Sequence, residues 1–398
     1  MRVLHVNTAA QSGGAAPVAA ALGAAQRERG LSVGYLSGRP ERGATGPMPR
    51  LRFLANVAAF RLAAVEAPFE SGRWRSRADR IASADLVHLH NAHGYYLPDA
   101  SLAALLARPC VWTLHDLWLA TGRCAAPQGC GRWRTGCAPC PHPDRYPASR
   151  RDRSGAEQAR RRALMRAGRI VFAVPSRDMA AGMRAAGMPA ERLVVIPNPL
   201  LDPASAWDVQ ARAAARRALG WPDDRFTVLV ASAKAGDPNK NVGLALTALA
   251  RVSRPSSWHL VLLGRPDRAL QRQLAGLPVA TSVIANRLER AELNRAYLAA
   301  DLLLNPSRGE SFGMTNLEAL AHGCRLICTD LPVFREVAGD AAVYLPADDA
   351  GAWTAALDAE LAAWPRAPDM ATAAALRRRH ALDAIVDAYL ALYHRVAT

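Results

Sequence analysis

Two carboxylates, Glu310 and Glu318, bracket the stretch of this chain with the most chemistry to offer. Ahead of them the apolar run Asp301-Leu302-Leu303-Leu304 reads as a buried parallel strand closed by Pro306. Gly313 then punctuates a loop, and Met314 to Ala321 has helical composition that stops at Gly323. Strand, glycine-bearing loop and helix in that order aim free backbone N–H groups and the positive helix end at one point. Anions bind at such points, phosphate above all. Glu310 and Glu318 would repel a phosphate, so they suit neighbouring sugar hydroxyls, whose hydrogen bonds they can accept. Each acid alone would read as a solvated side chain; the shared strand–loop–helix context argues for a pair with a task.

Other candidates lie where strands hand over to loops. The formal charge is +16 and almost all of the basicity is arginine; the two lysines, Lys234 and Lys240, share one short loop after a strand at 226–231. Keeping lysine only there points to a need for a compact ammonium, with chance clustering as the alternative. Gly13 and Gly14 turn the first strand, 3–7, into an alanine-rich helix, so a ligand can approach that backbone closely. The spaced glycines of a dinucleotide fingerprint are missing. Strands at 85–91 and 110–118 end in polar groups, the second in His115 and Asp116. Open α/β sheets bind ligands beyond such carboxyl ends.

Seven cysteines are too few for a disulfide scaffold, but Cys124, Cys130, Cys137 and Cys140 group among glycines and prolines. They can close around one tetrahedral metal. Two stable disulfides are disfavoured in the cytosol, so structural zinc is the preferred reading over free or transiently oxidised thiols. Four thiolates leave no open position, which makes such a zinc structural and not catalytic. Cys110, Cys324 and Cys328 read as small apolar core residues.

Strands and helices alternate along the chain. Strand patterns at 33–36, 170–174 and 193–200, with an Arg-dense helix over 150–169, complete the first half; a proline-rich linker follows near residue 200. The second half restarts at 226–231, 259–263, 282–285, 301–304, 326–328 and 342–345. The pattern predicts an α/β protein of two doubly wound domains, 1–200 with the cysteine-rich insert 124–140 and 201–372, followed by a long helix at 373–396.

The stretch from Glu310 to Glu318 strongly resembles the Glu-x7-Glu motif of the retaining family 4 glycosyltransferases, with Ser311 where the motif usually has Gly. That resemblance implies the GT-B fold, two Rossmann-like domains facing a cleft, with the terminal helix crossing back to the first. It implies a UDP- or GDP-sugar donor and a glycan or lipid-linked acceptor, as in polysaccharide biosynthesis. Glu310 would touch the donor sugar, Glu318 the ribose hydroxyls, and the amides of Gly313, Met314 and Thr315 the diphosphate. Lys240 matches the family's diphosphate lysine, whereas Lys234 sits one residue out of register with the family's arginine. His115, in a Thr-x-His-Asp element, would lie next to the sugar, so His115, Glu310 and Lys240 form the catalytic set. Gly13 and Gly14 would face the diphosphate and acceptor, and base contacts would fall around Asn286 and Arg287. No catalytic metal is implied, since the protein supplies positive charge and no Asp-x-Asp element ends a strand. A similar cysteine-rich insert occurs in a subset of bacterial polysaccharide glycosyltransferases.

No apolar run reaches the ~18 residues that span a bilayer, and the start runs straight into a strand pattern without a signal core, so a cytoplasmic protein is expected. The segment 47–80, with Arg50, Arg52, Phe53, Phe60, Arg61, Phe69, Arg73, Trp74, Arg75 and Arg77, reads as a solvated amphipathic helix or as a peripheral contact with an anionic membrane. A rival from another class is a zinc-stabilised, Arg-rich nucleic-acid-binding protein. Against it, the arginines are spread along the chain and no recognition-helix or aromatic RNA motif appears.

Overall fold

The computed structural model describes residues 1–10, 13–38, 48–69, 78–127, 129–201, 207–286, 288–365 and 367–397. Two compact units emerge: Met1–Leu201 with Leu382–Thr398, and Asp202–Ala381. Among the described residues each unit holds a six-stranded parallel sheet.

In the first unit the strands are β1 (Arg2–Asn7), β2 (Ser32–Ser37), β3 (Leu86–Leu89), β4 (Cys110–Thr113), β5 (Ile170–Val174) and β6 (Leu193–Val195), in the order β2-β1-β3-β4-β5-β6. Both faces are covered, so the strands are mainly apolar, and alternation divides them between two cores. Leu4, Val6, Val87, Leu89, Trp112 and Phe172 fill one core. Val3, Leu86, Val111 and Ala173 face the other, beneath the helices Ala15–Glu28 and Leu382–Ala397. On that second side the same alternation buries His5, His88 and Thr113. β6 stops at Val195, short of the expected 193–200, because Pro197 and Pro199 have no N–H to donate to a ladder.

The second unit contains β7 (Phe226–Lys234), β8 (Trp258–Arg265), β9 (Ala280–Ile284), β10 (Leu302–Asn305), β11 (Arg325–Thr329) and β12 (Ala342–Leu345), ordered β12-β11-β10-β7-β8-β9. Its core joins Phe226, Val228, Leu260, Leu262, Leu302, Leu304 and Ile327 to the helices Val242–Leu249 and Ala350–Ala362.

The single helix expected at 373–396 is two, Met370–Arg379 and Leu382–Ala397. His380 leaves helical geometry at φ −110° and ψ 22°. The two segments bury their apolar faces in different units: Ala373 and Leu376 in the second, Ile385, Tyr389 and Tyr393 in the first. The expected Arg-dense helix is shorter than read, Ser154–Arg166. Among the described residues no helix is long and apolar enough to cross a membrane. Arg73, Trp74, Arg75 and Arg77 lie outside the described residues, as does Arg287.

One backbone approach is tight enough to test. Gly264, near the end of β8, has φ +134°, and a Cβ there would overlap the Ser232 carbonyl beside a register shift between Ala231 and Lys234. Neither obstacle is a flexible side-chain end, so Gly264→Ala should destabilise the second unit by about 3 kcal/mol or more. Denaturant unfolding followed by circular dichroism checks this; a wild-type midpoint would contradict it.

Candidate functional site

In the second sheet the strand order reverses direction between β7 and β10, a topological switch point whose loops collect at the carboxyl ends. The loop after β7 and the loop after β10 are laced together there. The Arg308 N–H donates to the Asn239 carbonyl at 2.8 Å, and Asn239 Nδ2 donates to the Gly309 carbonyl at 2.7 Å. The result brings the Lys240 ammonium onto the Glu310 carboxylate, both only partly exposed. Lys234 is the exposed last residue of β7, apart from this pairing.

Gly313 caps the helix Met314–Ala321 in the left-handed region, φ +89° and ψ 53°. A Cβ there would also meet the Phe334 ring at 2.7 Å, so glycine is required twice over. Asn305, the last residue of β10, aligns the helix start: its Nδ2 donates to Asn316 Oδ1 at 2.7 Å and Thr315 Oγ1 at 3.2 Å, while Ser307 Oγ donates to its Oδ1 at 2.7 Å. The first amides of that helix, at Met314 and Thr315, have no carbonyl one turn back to bond within it.

Glu318 is buried in the second turn and accepts hydrogen bonds from Arg290 Nη1 at 2.7 Å and the Tyr297 hydroxyl at 3.1 Å. Burial, and then the Glu318 charge, push the Tyr297 hydroxyl far above its ordinary pKa, so it stays a donor. The reading of the sequence missed Arg290, Tyr297 and Asn305, because nothing in their local spacing connects them to Glu318 or the loop. Asn286 is exposed just beyond β9.

In the first unit Gly13 adopts φ +88° and precedes Gly14, the residue that caps the helix Ala15–Glu28. Among the described residues a Cβ at either would meet nothing within 4 Å. His115 lies half-buried beyond β4, and its Nε2 shares a hydrogen bond of 2.9 Å with His90 Nδ1. Behind it His90 Nε2 meets His5 Nδ1 at 3.0 Å. Burial outweighs the Asp116 charge and lowers the His115 pKa to about 4, so its ring is neutral. Asp116 instead pairs with His93 Nε2 at 2.8 Å. Burial opposes charge on His93, but Asp116 and Glu66 outweigh it and raise its pKa. The pairing of His93 with Asp116 joins segments 23 residues apart and had no sequence signal.

The four grouped cysteines sit in a knuckle fastened by one helix. Gln158 Nε2 donates to the Ala120 and Trp133 carbonyls at 2.9 and 2.6 Å, and its Oε1 accepts from the Cys137 N–H at 3.0 Å. Arg161, 3.8 Å over the Trp118 ring, bonds the Trp118 and Thr121 carbonyls and Glu66. The Gly122 N–H donates to Cys137 Sγ at 3.2 Å. Tetrahedral zinc–thiolate bonds of about 2.3 Å hold their sulfurs roughly 3.8 Å apart. Among the described residues the group of three or more metal-ligand types with donor atoms within 4.8 Å of one another is His5, His88 and His90, not the cysteines. Cys110, Cys324 and Cys328 are buried, as expected of core residues.

Residues 12–200 match the family profile Glycosyltransferase Family 4, and residues 226–362 match Glycosyl transferases group 1. Over 185 residues, 42% of this chain and 46% of the relative, it is 31% identical to WcaC of Escherichia coli (strain K12), provisionally described as a colanic acid biosynthesis glycosyl transferase. Over 154 residues, 38% of this chain and 40% of the relative, it is 33% identical to the phosphatidyl-myo-inositol mannosyltransferase of Mycolicibacterium smegmatis (strain ATCC 700084 / mc(2)155). The matched stretches thus span under half the length of these curated relatives. Anabaena Alr3699/HepE, solved in complex with UDP and glucose, superposes with a TM-score of 0.68 at 15% identity, over 99% of this chain and 100% of that one. Sucrose-phosphate synthase from Thermosynechococcus elongatus gives 0.70 at 18% identity, over 99% and 98%. At those identities the likeness is one of fold, the two Rossmann-like halves of GT-B proteins. With the two profiles lying end to end over its two sheets, the chain belongs to the glycosyltransferases, a family 4 half followed by a group 1 half.

Proposed function

We propose that this protein moves a sugar from a nucleoside-diphosphate sugar to a hydroxyl of a glycan or lipid-linked acceptor, with retention at the anomeric carbon, in building a polysaccharide or glycoconjugate. The observation that carries this reading is the Lys240–Glu310 pair beside the Gly313-capped helix start, at the switch point of the second sheet. As the bond from the sugar to the diphosphate breaks, its electron pair stays on the diphosphate. The Lys240 ammonium and the amides of Gly313, Met314 and Thr315 stabilise that charge, and the departing oxygen takes the acceptor's proton. Glu310, released from Lys240 by the incoming phosphate, accepts a hydrogen bond from the sugar. Glu318 takes the ribose hydroxyls, with Arg290 and Tyr297 holding it in place. Lys234 adds positive charge at the rim of the same loop. In the first unit, the Gly13-Gly14 turn suits close approach of a ligand, and neutral His115 suits a sugar hydroxyl. HepE, solved with UDP and with UDP-glucose, supports a nucleoside-diphosphate sugar, UDP- or GDP-linked, as the donor. The names of WcaC and the mannosyltransferase favour a glycan or phospholipid-linked acceptor.

Glu318→Ala should weaken UDP binding by about ten- to a hundred-fold, the scale of a lost charge-assisted hydrogen bond of roughly 1.5–3 kcal/mol. Glu310→Ala and Lys240→Ala should instead lower turnover, Lys240→Ala by about a hundred-fold. Calorimetry with UDP and GDP, and mass spectrometry of products from nucleotide-sugars, measure both. Wild-type affinity and rate in all three variants would remove this assignment.

Peripheral attachment at the cytoplasmic face of a membrane is part of the same reading. The helix Met48–Ala63 buries Asn56 and Phe60 while exposing Leu51, Leu54 and Leu62, with Arg61 beside them. Apolar residues facing out beside arginine suit an anionic bilayer surface. Leu51→Asp with Leu54→Asp should cut co-sedimentation with anionic phospholipid vesicles several-fold; equal sedimentation would remove the contact.

Structural zinc at Cys124, Cys130, Cys137 and Cys140 is supported by four thiols in one knuckle and by the N–H bond to Cys137 Sγ, and it requires the sulfurs to draw closer than they lie here. Purified protein should carry close to one zinc per chain, and chelation should lower the melting temperature while UDP binding persists. Metal-free protein with four reactive thiols would refute it.

A further inference from the structure

Four imidazoles in the first unit form a buried line whose rear members the proposed chemistry does not use. His5, His88 and His90 are close enough to attract a metal, yet every one of their ring nitrogens already has a partner. His5 Nε2 meets Gln26 Oε1 at 2.8 Å and its Nδ1 meets His90 Nε2 at 3.0 Å. His90 Nδ1 meets His115 Nε2 at 2.9 Å. His88 Nδ1 meets the Tyr393 hydroxyl, and its Nε2 lies 2.7 Å from Thr113 Oγ1. A cation here would break these bonds in a fully buried space, so the cluster is better explained as a hydrogen-bond line than as a metal site.

We infer that Gln26, through His5 and His90, commits His115 to the tautomer protonated at Nε2 and leaves His115 Nδ1 as a bare acceptor for a substrate hydroxyl. The direction follows from the one group that cannot exchange its roles. An amide oxygen only accepts and an amide nitrogen only donates. Gln26 Oε1 therefore requires the proton of His5 on Nε2, while Gln26 Nε2 donates to the Tyr393 hydroxyl at 2.9 Å. His5 is neutral, because burial outweighs the Gln26 hydrogen bond and lowers its pKa to about 4. Its Nδ1 is then a lone pair, and His90 Nε2 must supply the hydrogen. Burial, with His88, His115 and His5 around it, keeps His90 neutral as well, so its Nδ1 accepts from His115 Nε2. No described residue hydrogen-bonds His115 Nδ1. The second arm runs outward from the same amide: the Tyr393 hydroxyl donates to His88 Nδ1, His88 Nε2 to Thr113, and Thr113 to the Tyr389 hydroxyl at 2.9 Å.

Gln26 and Tyr393 are thus positioning residues that act on the site through other side chains. An acceptor-only Nδ1 selects a hydroxyl donor over an ether, carbonyl or phosphate oxygen. This consequence rests on the reading of His115 as a sugar-side residue; the tautomer itself does not.

Protein labelled with 15N-histidine, with His115 assigned by loss of its signal in His115→Asn, reads the tautomer directly by long-range proton–nitrogen NMR. His5, His90 and His115 should each show a protonated Nε2 and a bare Nδ1. Gln26→Met, of similar length but without polar groups, should turn His115 into a tautomer mixture and lower kcat about three- to tenfold, the scale of one neutral hydrogen bond, with donor KM nearly unchanged. Tyr393→Phe, which removes one partner of the amide, should give the same mixture if Gln26→Met does not fold. A protonated Nδ1 on wild-type His115, or a pure Nε2–H tautomer persisting in the folded variants, would overturn the inference. The NMR signature needs no sugar transfer: the expected spectrum on a protein that makes no glycoside keeps the inference and sinks the proposed function. A reversed spectrum on an active enzyme does the opposite.

Discussion

A parallel sheet covered on both faces constrains everything else in this protein. Every described strand runs parallel to its neighbours, so the carboxyl ends, and the loops that leave them, collect along one edge of each sheet. Apolar side chains occupy both faces of the strands, which leaves polar function only to strand ends and to rare buried positions with paid-up hydrogen bonds. Where neighbouring crossovers leave in opposite directions, two loops meet that are remote in sequence. Asn239 and Gly309, 70 residues apart, bond there, and Lys240 and Glu310 are carried together as a consequence.

Several buried polar groups in both units draw their partners from a different segment of the chain. Asp301, at the entry to β10, accepts from the Thr227 N–H at 2.7 Å, from Trp364 Nε1 at 3.0 Å, and from Arg212 and Arg216. That network holds the strand whose far end carries the loop to Glu310, so a charge at one end of β10 is structural and one at the other end is available for chemistry. In the first unit neutrality replaces charge. Four histidines in close contact would repel one another if protonated, and burial keeps them uncharged, so hydrogen bonds can order them instead. The same sheet face holds His5 and His88 in line with Val3 and Leu86, which shows that strand alternation places polar groups as strictly as apolar ones.

The strand–loop–helix stretch around Gly313 was legible from sequence because its signals are local: an apolar run, a proline, a glycine requiring positive φ, and a helical composition that stops at a glycine. The alternation of strands and helices over both halves was legible for the same reason. Boundaries were less so: 193–200 lost its end to prolines, and the helix expected at 373–396 breaks at His380, where composition offers no stop. The cysteine spacing was plain in the sequence, whereas the Gln158 and Arg161 side chains that fasten the knuckle were not.

What the sequence by itself determined is which residues could do chemistry and on which kind of element each sits, since capping, turn and periodicity preferences act within a few residues. What only the tertiary structure decided is which of them meet. Arg290 and Tyr297 reach Glu318, His93 reaches Asp116, and Gln26 and Tyr393 enclose the histidine line across 367 residues. These pairings depend on strand order and on which face a helix covers, and neither is encoded in any local spacing. They arise when burying the two sheet faces brings distant segments within hydrogen-bonding distance.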